Sequence, residues 1–165
     1  MTGPSYNTIF IGVGNPFRSD DGVGAAVVRR LRGEVPPGVK VQEESGDGTE
    51  LLEAWKDADC VILVDAVLSG APPGTIHRLD AREEKLPTWF SHSSTHSFGV
   101  AEAIELARAM GDLPPRLVVY GIEGLDFSPG TELSPEVAEV IPAAANLILQ
   151  EILHLPAMRA AHPAK

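Results

Sequence analysis

Two adjacent carboxylates in the first loop are the first residues of the chain whose type and placement indicate chemistry. Asp20 and Asp21 follow the turn Asn15-Pro16 and stand directly before a helical pattern. One acidic residue at that point is explained by helix capping, in which its side chain accepts orphan backbone N–H groups. Two adjacent ones leave a second interpretation open, a site for a cation or a catalytic carboxylate.

The same loop fits a dinucleotide-binding fingerprint only in part. Gly12 and Gly14 match the first two glycines of the G-x-G-x-x-G pattern, but Phe17 stands where the third should be. A pyrophosphate docked at the following helix would also meet two carboxylates, which repel it. We therefore do not expect nucleotide binding here.

A third carboxylate, Asp65, lies in the apolar run Cys60–Val67, where we expect it to end a buried central strand. In open α/β sheets the ligand crevice lies at the carboxyl ends of the strands. An ionised carboxylate in apolar surroundings is costly unless it has a partner. Asp65 is thus a second candidate site residue, the alternative being a carboxylate that accepts backbone N–H groups at a turn.

The imidazole of histidine is the third side chain that a site at this edge could use, and the sequence has five histidines. His92 and His96 lie in the segment 91–97, which enters a helical pattern, and a neutral imidazole at a helix N-terminus is a ready metal ligand. For either one, the alternative is a surface histidine without a role. The remaining histidines are expected on an edge strand or near the tail, at positions His77, His154 and His162.

Asp21, Asp65 and His96 are each predicted at a strand-to-helix junction. If the strands pair as a doubly wound sheet, these junctions meet at one edge and the three side chains converge. Two carboxylates and one imidazole suit a borderline divalent metal such as nickel or zinc, with open coordination positions left over. The spacing is too long for a local metal motif, so the convergence depends on the fold.

The elements that must position these side chains alternate in type along the chain, which predicts an α/β fold. Strands are expected at residues 8–13, 39–42, 60–67, 74–79 and 117–122, and helices at 22–32, 49–57, 95–110 and 134–153. No internal repeat or linker divides the pattern. We expect one domain over residues 1–165, with an ordered core at about 8–154 and a frayed tail at 155–165.

The composition limits the classes of protein that fit. Of the 165 residues, 44% are hydrophobic, which is enough for a packed core. A formal net charge of −10 argues against nucleic acid and an anionic membrane as partners, because both select clustered Lys and Arg. No apolar run approaches the roughly 20 residues of a membrane span, and the first residues lack a signal pattern, so we expect a cytoplasmic protein. The single Cys60 excludes an internal disulfide.

Taken in order, these motifs resemble the hydrogenase maturation proteases. The resemblance extends over residues 9–153. It is carried by Gly12-Val13-Gly14-Asn15, Asp20-Asp21-Gly22-Val23-Gly24, Leu63-Val64-Asp65-Ala66, Thr95-His96, Tyr120-Gly121-Ile122-Glu123-Gly124 and Leu133-Ser134-Pro135.

The resemblance implies a fold and an activity. The fold is a mostly parallel, twisted five-stranded sheet between helices, with one edge strand antiparallel, similar to flavodoxin-like and phosphorylase/hydrolase-like folds. The activity is that of an aspartyl-type endopeptidase that removes the C-terminal extension from the nickel-loaded precursor of a [NiFe]-hydrogenase large subunit. Asp21, Asp65 and His96 match the family's metal-binding positions, and we expect them to be catalytic. The nickel is expected to come with the precursor, and other divalent metals to substitute for it.

Several alternatives stay open at this level. A non-catalytic chaperone that senses the nickel centre, or a flavodoxin-like ligand binder, would also fit, and either the metal or a carboxylate could activate the attacking water. Other peptidase motifs, G-x-S-x-G and H-E-x-x-H, are missing from the sequence.

Trp89 and Phe90 either anchor their loop on the core or form an apolar rim that docks the large subunit. Roles for other polar residues near the site are undecided, namely Glu43, Glu44, Asp47 and His92.

Overall fold

Five strands form one sheet in the computed structural model, which describes the backbone of residues 7–161 and the side chains of residues 7–155. The strands are β1 (Thr8–Val13), β2 (Lys40–Glu44), β3 (Cys60–Val67), β4 (Ile76–Asp80) and β5 (Arg116–Glu123). Their spatial order is β2-β1-β3-β5-β4, and all neighbours are parallel except β4, which is antiparallel to β5. The mostly parallel sheet with one antiparallel edge strand is therefore confirmed.

Helices cover both faces of this sheet and make the fold a three-layer sandwich. Within the described range they are α1 (Val23–Leu31), α2 (Gly48–Ala54), α3 (Val100–Ala109) and α4 (Pro135–Ala161). Helices α1 and α4 pack together on one face, and α2 and α3 on the other. Because both faces are covered, β1 and β3 are buried along nearly their whole length, which explains why their sequences are continuous apolar runs.

Several element boundaries differ from those predicted. Strand β3 covers Cys60–Val67 as predicted, but Asp65 lies two residues before its end and does not end it. The helix expected from residue 95 begins only at Val100, since the preceding residues form a loop. Helix α4 runs on to Ala161, past the end expected near Leu153 and into the segment predicted to be frayed. Residues 162–165, with His162, lie outside the described residues.

Helix α4 is more apolar than the sequence analysis allowed. By length and composition its Pro135–Leu155 section is sufficient to cross a membrane, with a mean hydropathy of 1.2. The expectation that no stretch reaches that length is therefore wrong by this measure. One side of the helix nevertheless packs into the core, through Val137, Ala144, Ile148 and Ile152. Packing in the core thus explains part of the apolar composition of α4, since a third of this section is buried.

Glycines let α1 approach the sheet at backbone distance. A Cβ atom at Gly12 would lie 2.3 Å from the Gly24 carbonyl oxygen, and one at Gly24 would lie 2.7 Å from that of Val64. Real Cβ atoms do not come this close to backbone, so neither position accepts a side chain without displacement. This contact fixes the start of α1, and with it the loop that carries Asp21, against β1 and β3.

Candidate active site

A small cavity lies at the carboxyl ends of β1 and β3, and Asp21, Asp65 and His96 all line it. Its volume is about 20 Å³, room for a water molecule or an ion but not for a peptide. The structure therefore brings the three predicted residues to one place. The other lining residues are mostly small or polar and include Gly14, Ser45, Gly46, Ser93, Ser94 and Thr95.

Asp21 lies in a short 3-10 helix, Ser19–Gly22, between β1 and α1. It is only 8% exposed, and its Oδ2 accepts the backbone N–H of Asn15 at 2.9 Å. Desolvation raises the pKa of this carboxyl, and the Asn15 N–H, Arg18 and His96 offset part of that rise. Asp21 does not cap α1, so the capping interpretation does not account for it.

Asp65 faces the cavity from β3, opposite Gly121 of β5. Its Oδ1 accepts the N–H of Ala66 at 2.8 Å. Burial raises the pKa of the Asp65 carboxyl well above its ordinary value, and the nearby Asp21 carboxylate raises it further. Two carboxyl groups that disfavour each other's ionisation attract either a proton or a cation to the space between them.

His96 reaches the cavity by a different route from the one predicted. Strand β4 runs antiparallel to β5, so its end at Asp80 lies away from the carboxyl ends of the parallel strands. The loop after β4 brings the chain back, and His96 precedes α3 by four positions, before the N-cap Gly99. The ring instead packs beside Gly46, where a Cβ would lie 3.4 Å from His96 Cδ2. The argument from the helix dipole is therefore wrong for this residue.

Two polar residues that the sequence analysis missed tie these segments together. The Arg18 guanidinium donates to the Ser93 carbonyl at 2.6 Å and lies 3.8 Å from Asp21 Oδ2. The buried Ser93 hydroxyl donates to the Ala66 carbonyl at 3.1 Å. The first loop, the end of β3 and the loop of His96 thus hold one another in place. These contacts join residues 75 and 27 positions apart, so no local sequence pattern predicts them.

Asp20 and Asp21 have different roles although they are neighbours. The Asp20 side chain is fully buried and turned away from the cavity residues, toward the loop after β5. It accepts the backbone N–H groups of Leu125, Asp126 and Ser134 at 2.7–2.8 Å, and the Ser134 hydroxyl at 2.8 Å. Although desolvation acts to raise it, these donors lower the pKa of Asp20. Asp20 is therefore a structural carboxylate.

Known proteins are similar to this chain in sequence and in fold. A family model described as hydrogenase maturation protease matches residues 26–151. The chain belongs to that family. The hydrogenase 2 maturation protease of Escherichia coli is 30% identical over 145 residues, covering 86% of this chain and 87% of that protein. The hydrogenase expression/formation protein HupM of Azotobacter chroococcum is 31% identical over 151 residues, covering 88% and 71%.

Solved structures agree with the sequence comparisons. The solution structure of an endopeptidase from Escherichia coli superposes with a TM-score of 0.75 at 28% identity, covering 94% of each chain. The hydrogenase-maturating endopeptidase HybD of Escherichia coli has a TM-score of 0.71 at 24% identity, again over 94% of each chain, and supports the fold. The protein is thus an endopeptidase of hydrogenase maturation, and the resemblance recognised from its motifs is confirmed.

The other acidic residues around the site of this maturation protease have partners outside the cavity. Glu43 pairs with Arg29 and Arg32 at 2.9 and 3.1 Å, and these hydrogen bonds and charges lower its pKa. Asp47 caps α2 by accepting the N–H groups of residues 49 and 50. Glu44 lies beside Gln42, and burial and the neighbouring Glu50 raise its pKa. None of the three lines the cavity.

The remaining histidines with described side chains also lie outside the cavity. His77 is on the edge strand β4, as predicted, with its Nε2 3.1 Å from the buried Glu123 carboxylate. His92 and His154 are exposed. Among the histidines that the structure describes, His96 is therefore the one placed to take part in chemistry at this site.

The aromatic pair in the loop after β4 anchors that loop on the protein. Phe90 is 2% exposed and belongs to the core cluster under α2 and α3, with Trp89 packed against it. Trp89 also lies 4.8 Å from the His77 ring, centroid to centroid. The anchoring interpretation is confirmed for Phe90, whereas Trp89 is only half-buried, so contact of this pair with the large subunit stays a prediction.

Substituting Asp20 by alanine tests its structural role. In Asp20→Ala the donors of Leu125, Asp126 and Ser134 lose their acceptor, and we expect a loss of about 2 kcal/mol in unfolding free energy, measured by urea denaturation at neutral pH. Because the folded pKa of Asp20 is lowered, its contribution is present above the unfolded pKa and is lost as pH falls through the folded pKa. The deficit of the variant should therefore shrink in acid.

The exposed Asp126 supplies the matched control, since within the described part of the chain its carboxylate accepts only from Ser128. We expect Asp126→Ala to cost less than about 1 kcal/mol. Equal losses in the two variants would contradict the structural role of Asp20.

Proposed function

We propose that this protease removes the C-terminal extension from the nickel-loaded precursor of a [NiFe]-hydrogenase large subunit, and that Asp21, Asp65 and His96 contact the nickel which the precursor carries. The single observation behind the assignment of these residues is that all three line one ion-sized cavity. The family membership supports a hydrogenase precursor as the substrate.

The chemistry of the donors favours a cation. Carboxylate and imidazole together suit a borderline divalent metal such as nickel. The pKa of Asp21 and of Asp65 is raised by desolvation, and the Asp21 charge raises the pKa of Asp65 further. A cation held between them offsets both effects, because metal binding selects the deprotonated form.

The described part of the chain does not form a complete metal-binding site by itself. Among the described residues, no three His, Cys, Asp or Glu side chains stand close enough to hold a metal ion together. We therefore expect the Asp21, Asp65 and His96 side chains to move closer together around the nickel when the precursor docks. Other divalent metals of similar preference would substitute for it in the same way.

Asp65 is suited to the proton transfer that peptide hydrolysis requires. A general base works best when its pKa lies near the operating pH. The pKa of Asp65 is raised well above the ordinary value by burial and by Asp21, which moves it toward that range. We assign Asp65, in addition to its contact with the nickel, the role of accepting a proton from the attacking water, while Asp21 and His96 only hold the metal-bearing end of the substrate.

The direct test uses purified precursor with and without nickel. We expect mass spectrometry to show loss of a C-terminal peptide from the nickel-loaded precursor after incubation with the protease, and an unchanged mass for the nickel-free form. Equal cutting of both forms, or of neither, would overturn the proposal. Binding of loaded precursor without any change in mass would instead indicate a chaperone.

Processing should weaken in acid. Contact with nickel needs deprotonated carboxylates, and the pKa values of Asp21 and Asp65 are both raised, so protonation begins at a higher pH than for an exposed aspartate. We expect kcat/KM for loaded precursor to fall as pH is lowered through these raised values, measured from initial rates. Circular dichroism at each pH must show a folded protein. A rate that stays constant down to the ordinary carboxyl pKa would contradict the assignment.

A further inference from the structure

Two large apolar side chains are exposed beside the cavity. Phe17, in the loop that follows β1, is 71% exposed, and Leu125, in the loop that follows β5, is 57% exposed. Both lie at the carboxyl edge of the sheet, on loops that hydrogen-bond to each other through Ser19, Asp20 and Gly130. The two loops are therefore joined to each other, although 108 positions separate Phe17 and Leu125 in the chain.

The backbone at both residues is held firmly. The Phe17 N–H donates to Asn15 Oδ1 at 2.9 Å, and its carbonyl accepts the N–H of Gly130 at 3.0 Å. The Leu125 N–H donates to the buried carboxylate of Asp20 at 2.8 Å. An apolar side chain presented on a fixed backbone loses little conformational freedom when a partner covers it, which favours binding.

These residues form a surface that is continuous with the cavity. The same two loops carry Arg18 and the half-buried Phe127, with the guanidinium 5.3 Å above the ring centroid. Arg18 also contacts Asp21 and the loop of His96, as described above. We call the surface made by Phe17, Arg18, Leu125 and Phe127 the rim patch.

The size of the cavity shows where a protein substrate must lie. About 20 Å³ admits an ion or a water molecule, so the polypeptide to be cut has to run over the surface outside it. The rim patch adjoins the cavity, and it contains two of the most exposed large apolar side chains among the described residues. Aromatic residues and arginine are enriched at the cores of protein interfaces, and Phe17, Arg18 and Phe127 are of these types.

We infer that the rim patch binds the hydrogenase large-subunit precursor, by covering Phe17 and Leu125 with an apolar side chain from the segment that flanks the cut bond. This inference rests on the proposed function for the identity of the substrate. It assigns recognition of the polypeptide to the rim patch, and recognition of the nickel to Asp21, Asp65 and His96.

The test compares Phe17→Ala and Leu125→Ala with Leu147→Ala, a matched control on α4 that is 46% exposed and does not line the cavity. We expect each rim variant to raise the Kd for nickel-loaded precursor, measured by calorimetry, and the KM for processing by about tenfold. The kcat should stay within about twofold, and Tm should not change because neither side chain is buried. Leu147→Ala should match the wild type in every measurement.

Two results would overturn the inference. One is a double variant, Phe17→Ala with Leu125→Ala, whose Kd and KM stay within about twofold of the wild type. The other is sedimentation showing that the wild-type protein self-associates through this surface and that Phe17→Ala abolishes the association without affecting precursor binding. If the wild type binds loaded precursor through Phe17 and never cuts it, the proposed function fails while the rim patch stands.

Discussion

Asp65→Asn should abolish processing of the nickel-loaded precursor while the protein stays folded. Asparagine keeps the shape of the side chain but can neither accept the proton of an attacking water nor offset the charge of a cation. We expect kcat/KM to fall roughly 10²–10⁴-fold, the range for removal of a general acid or base. Initial rates from intact-mass measurements would show the loss.

Glu43→Gln is the matched control for that experiment. It removes the same charge at the end of β2, from a side chain that pairs with Arg29 and Arg32 and does not line the cavity. Its processing rate should stay within about twofold of the wild type. A similar rate loss in both variants would mean that overall charge matters, and that the cavity carboxylate does not.

The stability of Asp65→Asn should move in the opposite direction to its activity. The folded pKa of Asp65 is raised by burial and by Asp21, so its contribution to stability is present below the unfolded pKa and is lost as pH rises through the folded pKa. Near neutral pH the ionised group therefore destabilises the fold, and a neutral asparagine should raise Tm by a few degrees. The gain should vanish in acid. A lowered Tm at neutral pH would show that Asp65 is held for structural reasons.

Gly24→Ala should cause a large loss of stability although Gly24 does not line the cavity. An added Cβ would lie 2.5 Å from the Val13 carbonyl oxygen, 2.7 Å from the Val13 nitrogen and 2.7 Å from the Val64 carbonyl oxygen. All three atoms are backbone in buried strands, so the clash is relieved only if α1 moves off β1 and β3. We expect a loss of about 3 kcal/mol or more and a fall in Tm of roughly 6–12 °C, measured by thermal denaturation.

Gly33→Ala makes the matched control. No heavy atom of the described residues lies within 4 Å of a Cβ added at Gly33, and the φ of Gly33 is not positive. The substitution should leave Tm within about 2 °C of the wild type. If Gly24→Ala also leaves Tm unchanged, the close contact between α1 and the sheet does not contribute to stability as expected. The position of the Asp21 loop would then need another explanation.

The local pattern of the sequence was sufficient for most of the elements. Strands buried on both faces must be continuously apolar, and this identified β1, β3 and β5 within a residue or two. The order of the motifs around Asp21, Asp65 and His96 was sufficient to recognise the family. Such signals lie in short stretches of chain, where hydrophobic period and turn residues act between near neighbours.

Contacts between residues far apart in sequence decide the role of each acidic residue and the burial of each aromatic residue. Asp20 and Asp21 are chemically identical neighbours, and only the loop with Ser134, 114 positions away, makes the first structural and leaves the second to the cavity. The same holds for the aromatic residues. The core covers Phe90 while Phe17 stays exposed, although both follow proline-containing turns.

The route of His96 to the site also depended on tertiary structure. The sequence placed this residue at a strand-to-helix junction, but the antiparallel pairing of β4 with β5 sends the chain to the other end of the sheet, and a loop brings it back. By itself, the sequence determined the family, the layered α/β fold and the three candidate site residues. The folded chain decided which carboxylate is structural, how the imidazole arrives and which large apolar side chains stay exposed near the cavity, because each of these outcomes depends on partners that lie far away in sequence.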